Sequence, residues 1–282
     1  MRKFLIINIL IFISIYHSPA QNLNTFSVMS WNIRLDTPHD GINAWSYRKA
    51  DFCTHLNKEG PDLIGFQEVL HNQLIDIQHC LDGFAFVGVG RADGLTAGEY
   101  SPVFFRLNRF ELLDSGTSWL SETPERPGSV GWDAALERIV SWAKLIDRQS
   151  GDTILVFNTH FDHVGQKARE HSAALIIELS QKLAALNPVI IMGDFNATPE
   201  NPVYHHFIAS GFGDTRTMAS KTDALMATYS GFDFDPKNDA LIDFILCSKH
   251  VEVLEYQVQA VNSGSKFLSD HLPVVAKLTI KR

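Results

Sequence analysis

The chain has 282 residues, 45% hydrophobic and 11% aromatic content, and a formal net charge of −8. That is ample apolar material for a sizeable core, and the acidity argues against a strong electrostatic grip on nucleic acid, which normally needs a basic face, with a local basic patch as the alternative. Three cysteines, Cys53, Cys80 and Cys247, are too few for a disulfide framework or a zinc cage; the favoured reading is three small buried apolar side chains, with one bridged pair as the alternative in an oxidising compartment.

Arg2 and Lys3 precede an almost unbroken apolar run from Phe4 to Tyr16, and Ser18-Pro19-Ala20 offers small residues at a cleavage position. The run falls short of the ~20 apolar residues of a membrane-spanning helix. Residues 1–20 are therefore expected to be an export signal, residues 21–282 a single domain, and the mature chain secreted or periplasmic; an uncleaved anchor is the alternative.

Thr25–Ile33 alternates as a strand, and Ser46–Lys58 has helical spacing with Tyr47, Ala50, Phe52 and Leu56 on one side. Asp62–Gln67 is a short buried strand, followed by a helix over Asn72–Leu81. Strands are expected at Phe84–Val89, Pro102–Arg106, Arg109–Asp114, Arg138–Asp147 and Thr153–Thr159, the last two joined by the turn dipeptide Gly151-Asp152. Lys167–Leu186 carries apolar residues at i, i+3, i+4 spacing and is the clearest helix in the chain. Pro188–Met192 reads as a buried strand, and Thr198 as the cap of a helix beginning at Pro199. Leu241–Cys247, Val251–Val261 and Val274–Ile280 close the chain as strands. Hairpins mixed with strand–helix–strand units predict an α/β sandwich.

Polar residues stand at or just past the ends of these strands: Asn32, Gln67-Glu68, Asn158, His160, Asp162, Asp194, Asn196 and Asp270-His271. Taken singly, each is more often a turn or cap residue. Together, Glu68, Asp194 and Asp270 are hard oxygen donors suited to Mg²⁺, Mn²⁺ or Ca²⁺. Asn32 and Asn196 bind without adding charge, and His160 and His271 suit proton transfer or phosphate binding. That inventory matches hydrolysis of a phosphate ester.

Ser30-Trp31-Asn32-Ile33-Arg34, Gln67-Glu68, Asn158-Thr159-His160-Phe161-Asp162, Gly193-Asp194-Phe195-Asn196 and Ser269-Asp270-His271 occur in order. This strongly resembles the endonuclease/exonuclease/phosphatase superfamily, in particular its exported bacterial members, over essentially all of residues 26–280. The resemblance implies a four-layer α/β/β/α sandwich with two packed mixed, mainly antiparallel sheets. It implies Glu68 as the principal ligand of a divalent metal, Mg²⁺ foremost, with Asn32 and Asp270 beside it. Asp194 would position or deprotonate the attacking water, Asn196 would hold phosphate, and His271 would activate water or stabilise the transition state. Asp243 would orient His271 and Glu99 would orient His160, each with a surface strand residue as the alternative. Asn158 and Arg138 are candidate substrate contacts, Arg138 equally an ordinary salt bridge. Arg34 stands where several DNA-repair members carry an acid, which puts a second metal position in doubt. His163, His171, His205 and His206 have no assignable role and are expected to be exposed or capping.

The expected activity is that of a secreted phosphodiesterase or phosphomonoesterase. Its rivals are a silent binding domain of the same fold, a nuclease on DNA or RNA, and a dinuclear metallophosphoesterase, for which the required Asp-x-His and Gly-Asn-His are missing. Specificity is expected in loops 36–46, 91–100, 115–135 and 214–240. The acidic, aromatic Gly231–Ala240 disfavours a polyanion, so a small or lipid-like phosphate ester is preferred over nucleic acid, with Trp119 and Trp132 either stacking on substrate or packing. Nothing calls for an obligate protein partner, and a monomer is expected.

Overall fold

The computed structural model describes residues 24–223, 227–232, 240–263 and 266–281. The expected export signal and most of the Gly231–Ala240 loop lie outside the described residues. In chain order, β1 (Phe26–Asn32) leads through a 3-10 turn (Pro38–Asn43) to α1 (Trp45–Glu59), β2 (Leu63–Gln67), α2 (His71–Cys80), β3 (Phe84–Val87), β4 (Val103–Arg106) and β5 (Phe110–Trp119). Next come β6 (Ile139–Asp147), β7 (Thr153–His160), α3 (Gln166–Ala184), β8 (Val189–Asp194) and α4 (Pro202–Ala209). The remainder is β9 (Phe212–Asp214), α5 (Thr215–Met218), β10 (Lys221–Asp223), β11 (Asp243–Ser248), β12 (Val251–Val258), a ribbon of β13 (Asn262–Ser263) and β14 (Lys266–Phe267), and β15 (Val274–Ile280).

Two mixed, mainly antiparallel sheets result, ordered β10-β12-β15-β1-β2-β4-β3 and β5-β6-β7-β8-β11-β9. The parallel neighbours β1–β2 and β7–β8 are joined through α1 and α3, as a parallel return needs a crossover that is usually a helix, whereas between the parallel β10 and β12 the chain passes through β11 of the second sheet. The expected β6–β7 hairpin is antiparallel, and Gly151 at φ 78° makes its turn. Three apolar clusters fill the gaps. One lies between the sheets, one between the first sheet and α1 and α2, and one between the second sheet and α3 and α4. The order is thus helices, sheet, sheet, helices.

Strand periodicity decides where the polar side chains go. In β1, Phe26 and Val28 face the opposite sheet while Met29 and Trp31 face the helices. Continuing the inward row brings Ser30 and then Asn32 between the sheets. The same parity carries Ile154 and Val156 on to Asn158 and His160 in β7, and Ile190 and Met192 on to Asp194 in β8; in β11, Ile245 and Cys247 share Asp243's parity. Register aligns these ends: His160 pairs with Asp194, and Asp194 with Asp243. At one end of the sandwich the inter-sheet core therefore changes from hydrocarbon to carboxylates, amides and imidazoles.

Three sequence expectations need correction. Helix α1 buries Trp45, Arg48, Phe52 and Leu56, leaving Tyr47 and Ala50 outward; the apolar stripe runs through an arginine that hydropathy alone assigns to solvent. Helix α4 begins at Pro202 under an Asn201 cap, which accepts from Val203 N at 3.0 Å, not at Thr198-Pro199; the same cap-proline pair recurs three residues on. Cys53 and Cys80 form a disulfide between α1 and α2, with Cα atoms 5.6 Å apart, and only Cys247 stays a buried thiol. Their separation in sequence carries no sign that two helices meet there.

Candidate active site

The polar end opens as a pocket of about 500 Å³. Glu68, Asp194, Asn196, Asp270, His160 and His271 line it, with Arg34, Glu99, Arg138, His163 and Tyr229 around the wall. Three non-glycine residues at its rim, Arg34 (φ 59°), Glu68 (φ 60°) and Asn196 (φ 45°), lie in the left-handed region. Such conformations cost about 1–3 kcal/mol each and concentrate at functional sites. Each follows a strand end and re-aims the chain toward the pocket.

Asn32 ties the acids together: its Nδ2 donates to Glu68 Oε1 and to Asp194 Oδ2, both at 3.0 Å. Its Oδ1 accepts from Arg34 N at 3.0 Å. Asn32 thus positions two carboxylates by its amide nitrogen. Glu68 Oε2 accepts from Leu35 N at 3.1 Å, and Asp194 Oδ1 from Asn196 N at 2.9 Å.

The two histidines are driven in opposite directions. Burial disfavours a charge on His271, but Asp243 and Asp194 outweigh it and hold the imidazole well above the ordinary histidine range. His271 Nδ1 donates to Asp243 Oδ2 at 2.8 Å, leaving Nε2 3.6 Å from Asp194 Oδ2. His160 is held well below that range by burial and then by the cations Arg138 and Arg91. Its Nε2 sits 3.0 Å from Asn196 Nδ2 and accepts from it as a neutral ring. Asp194, buried and facing Asp243, is pushed up to about 7. A cationic and a neutral imidazole on either side of one carboxylate divide acid and base roles.

Glu99 does not hold His160. Both its oxygens are taken by Arg91, at 2.9 and 2.7 Å, so Glu99 is a pocket-wall carboxylate fixed by a guanidinium. Asn158 is not a pocket residue either. It lies one inward position deeper than His160 and is fully buried, its Nδ2 donating to Phe66 O and Pro102 O at 2.7 and 2.8 Å and its Oδ1 accepting from Gln67 Nε2 at 2.7 Å. These bonds cross from the second sheet to the first. Gly65 makes room, since a Cβ there would stand 2.7 Å from the Asn158 side chain. Arg138 is in the wall, 5% exposed, with Nη2 3.2 Å from His163 Nδ1 and with Nε and Nη1 lacking a hydrogen bond. His163 is exposed, as expected, and borders the pocket beside Arg138. Trp119 is buried and donates to Arg91 O at 2.6 Å, and Trp132 stacks on His171 at 4.6 Å; both pack against protein.

Several supporting residues escape a motif reading. Arg48, 1% exposed, donates to the carbonyls of Ile33, Arg34, Asn43 and Leu268, tying the segment after Asn32 to the one before Asp270. Its place on an apolar helical stripe was the available signal. Thr228 Oγ1 accepts from Asp243 N at 3.1 Å, and the Tyr229 ring lies 5.0 Å from that of His271; both sit in a loop without periodicity.

The donors fit a hard divalent cation. Asp194, Asp243 and His271 present ligand atoms within 4.8 Å of one another. However, His271 Nδ1 is committed to Asp243, which favours a hydrogen-bonded relay there. Glu68 and Asp270 face the open pocket and both lie 3.9 Å from the same Arg34 guanidinium. This all-oxygen pair is the better chemical match.

A sequence profile described as the endonuclease/exonuclease/phosphatase family matches residues 29–271. A solved endonuclease/exonuclease/phosphatase structure from Bacteroides vulgatus is 38% identical, with a TM-score of 0.88 over 91% of this chain and 99% of that one. A mannosyl-6-phosphatase from Bacteroides thetaiotaomicron is 33% identical, with a TM-score of 0.85 over 90% and 100% of the two chains. The 3'-5'-exoribonuclease subunit Ccr4 of the CCR4-Not complex of Mycosarcoma maydis is 22% identical across 94% of this chain, which spans 52% of that protein.

Proposed function

This chain belongs to the endonuclease/exonuclease/phosphatase family, and from that premise we propose that it is a divalent-metal-dependent phosphoesterase acting on a small phosphate ester, a sugar phosphate foremost. The observation that carries this reading is the placement of Asp194 between His160 and His271, with Asn32 bridging it to Glu68. Glu68 and Asp270 would hold a divalent cation, Mg²⁺ foremost, which when bound would supply positive charge to the phosphoryl oxygens. Asp194 orients a water and takes its proton. His271, kept charged by Asp243, donates from Nε2 to the developing negative charge. Asn196 Nδ2 and the neutral His160 hold the phosphate on the other side.

The pocket volume suits a monosaccharide phosphate and falls in the usual small-ligand range of ~300–1,000 Å³. Its wall carries Arg138 and His163, which can hydrogen-bond sugar hydroxyls, beside the apolar Leu35, Leu136 and Ile242. The mannosyl-6-phosphatase likeness supports the same class. We also infer export, on the N-terminal pattern and on the Cys53–Cys80 disulfide, a bond that persists in oxidising compartments. The test profiles the purified chain against hexose phosphates, inositol phosphates, phospholipids and RNA, with Mg²⁺, Mn²⁺, Ca²⁺ or a chelator. Metal-dependent phosphate release from hexose phosphates is expected. Turnover of RNA alone, or activity indifferent to chelation, contradicts the reading.

A further inference from the structure

Arg34 is held in an unusual way for a pocket cation. Its left-handed backbone (φ 59°) turns the side chain toward the two open acids. Nε and Nη2 both donate to Asp40, each at 3.0 Å, which locks the guanidinium plane. Nη1 has no hydrogen bond among the described residues and stands 3.9 Å from Glu68 Oε2, while Nε is 3.9 Å from Asp270 Oδ2. The same side chain lines the pocket. A fixed positive charge thus occupies the flank of the Glu68–Asp270 pair nearest β1, and a second divalent ion placed there would face repulsion from a group that cannot lose its proton.

We propose that Arg34 replaces a second metal: the pocket binds one divalent cation, and Arg34 Nη1, which Asp40 orients but does not hydrogen-bond, supplies the other positive charge to the substrate's phosphoryl oxygens. This rests on the metal-dependent phosphoesterase reading. The rival role is that of a strut, in which Arg34 only holds the Pro38–Asn43 turn through Asp40. A strut predicts equal damage from removing either partner of the pair, whereas a phosphate ligand predicts greater damage from removing the arginine.

The test is calorimetric and needs no turnover. Mn²⁺ is titrated into the metal-free chain, and inorganic phosphate into the Mn²⁺-loaded chain, for the native protein and for Arg34→Gln and Asp40→Asn. One Mn²⁺ per native chain is expected. Arg34→Gln should keep that stoichiometry and weaken phosphate about ten- to a hundredfold, the loss of a charge-assisted contact, with a smaller loss in Asp40→Asn. Two Mn²⁺ per native chain, or phosphate losses equal in the two variants, overturn the proposal. No Mn²⁺ binding at all is a different result, which removes the metal-dependent reading itself. If Arg34→Gln fails to fold, the native stoichiometry still decides between one cation and two.

Discussion

His271 Nδ1 lies 2.8 Å from Asp243 Oδ2, and both residues are buried. This pairing fixes the imidazole with Nε2 toward Asp194 and keeps it charged against the cost of burial. If charged His271 is the donor in turnover, the rate falls as pH rises through its raised pKa. Asp243→Asn removes the largest support for that charge, so the alkaline limb of the kcat/KM profile should move to lower pH, with turnover at neutral pH down about a hundredfold. An unmoved alkaline limb would show that His271 does not act through its proton.

Asp194 predicts a conflict between activity and stability. Burial and Asp243 push its carboxyl up to about 7 from an ordinary 3.8. Between those values the folded chain binds more protons than the unfolded one, so this group's contribution to stability declines as pH rises. With chelator present, Asp194→Asn should raise the thermal midpoint at pH 8 while changing it little at pH 4. A variant less stable than the native chain at pH 8 would refute the electrostatic account.

Asn158 is a structural cross-link. Replacing it with alanine removes its three hydrogen bonds between the sheets, to Phe66 O, to Pro102 O and from Gln67 Nε2, and leaves a void inside the sandwich. The expected loss is about 2–4 kcal/mol in denaturant unfolding, with KM for the substrate unchanged. A raised KM at native stability would return Asn158 to the substrate site.

The Cys53–Cys80 bridge closes a loop with a sequence separation of 27. Cys53→Ser should lower stability by roughly 3–4 kcal/mol on the chain-entropy account, measured against the native chain in oxidising buffer. Identical midpoints for the native chain with and without reductant would mean that the bridge contributes nothing.

Most of this site could be read before any coordinates, for a physical reason. Strand periodicity puts alternate residues on one face, so Asn32, His160, Asp194 and Asp243 inherit the inward face from Val28, Val156, Met192 and Ile245. Parity does not reveal depth, however. Asn158 shares its face with His160 yet lies beneath the pocket floor, and the sequence distinguishes the two only weakly. Long-range pairings were equally hidden: Arg91 with Glu99 through a loop, Arg48 with carbonyls from three segments, and Cys53 with Cys80 across two helices. Each depends on how elements dock, which local pattern does not encode.

The account rests on Asp194 and His271 acting on one phosphoryl group, so the most direct measurement is phosphate release from a hexose 6-phosphate in Mg²⁺ by Asp194→Ala and His271→Ala. Both variants are predicted to fold, to keep the native Mn²⁺ affinity within a few-fold, and to lose about a thousandfold or more in kcat/KM. Retention of activity within tenfold of the native chain by both would contradict it.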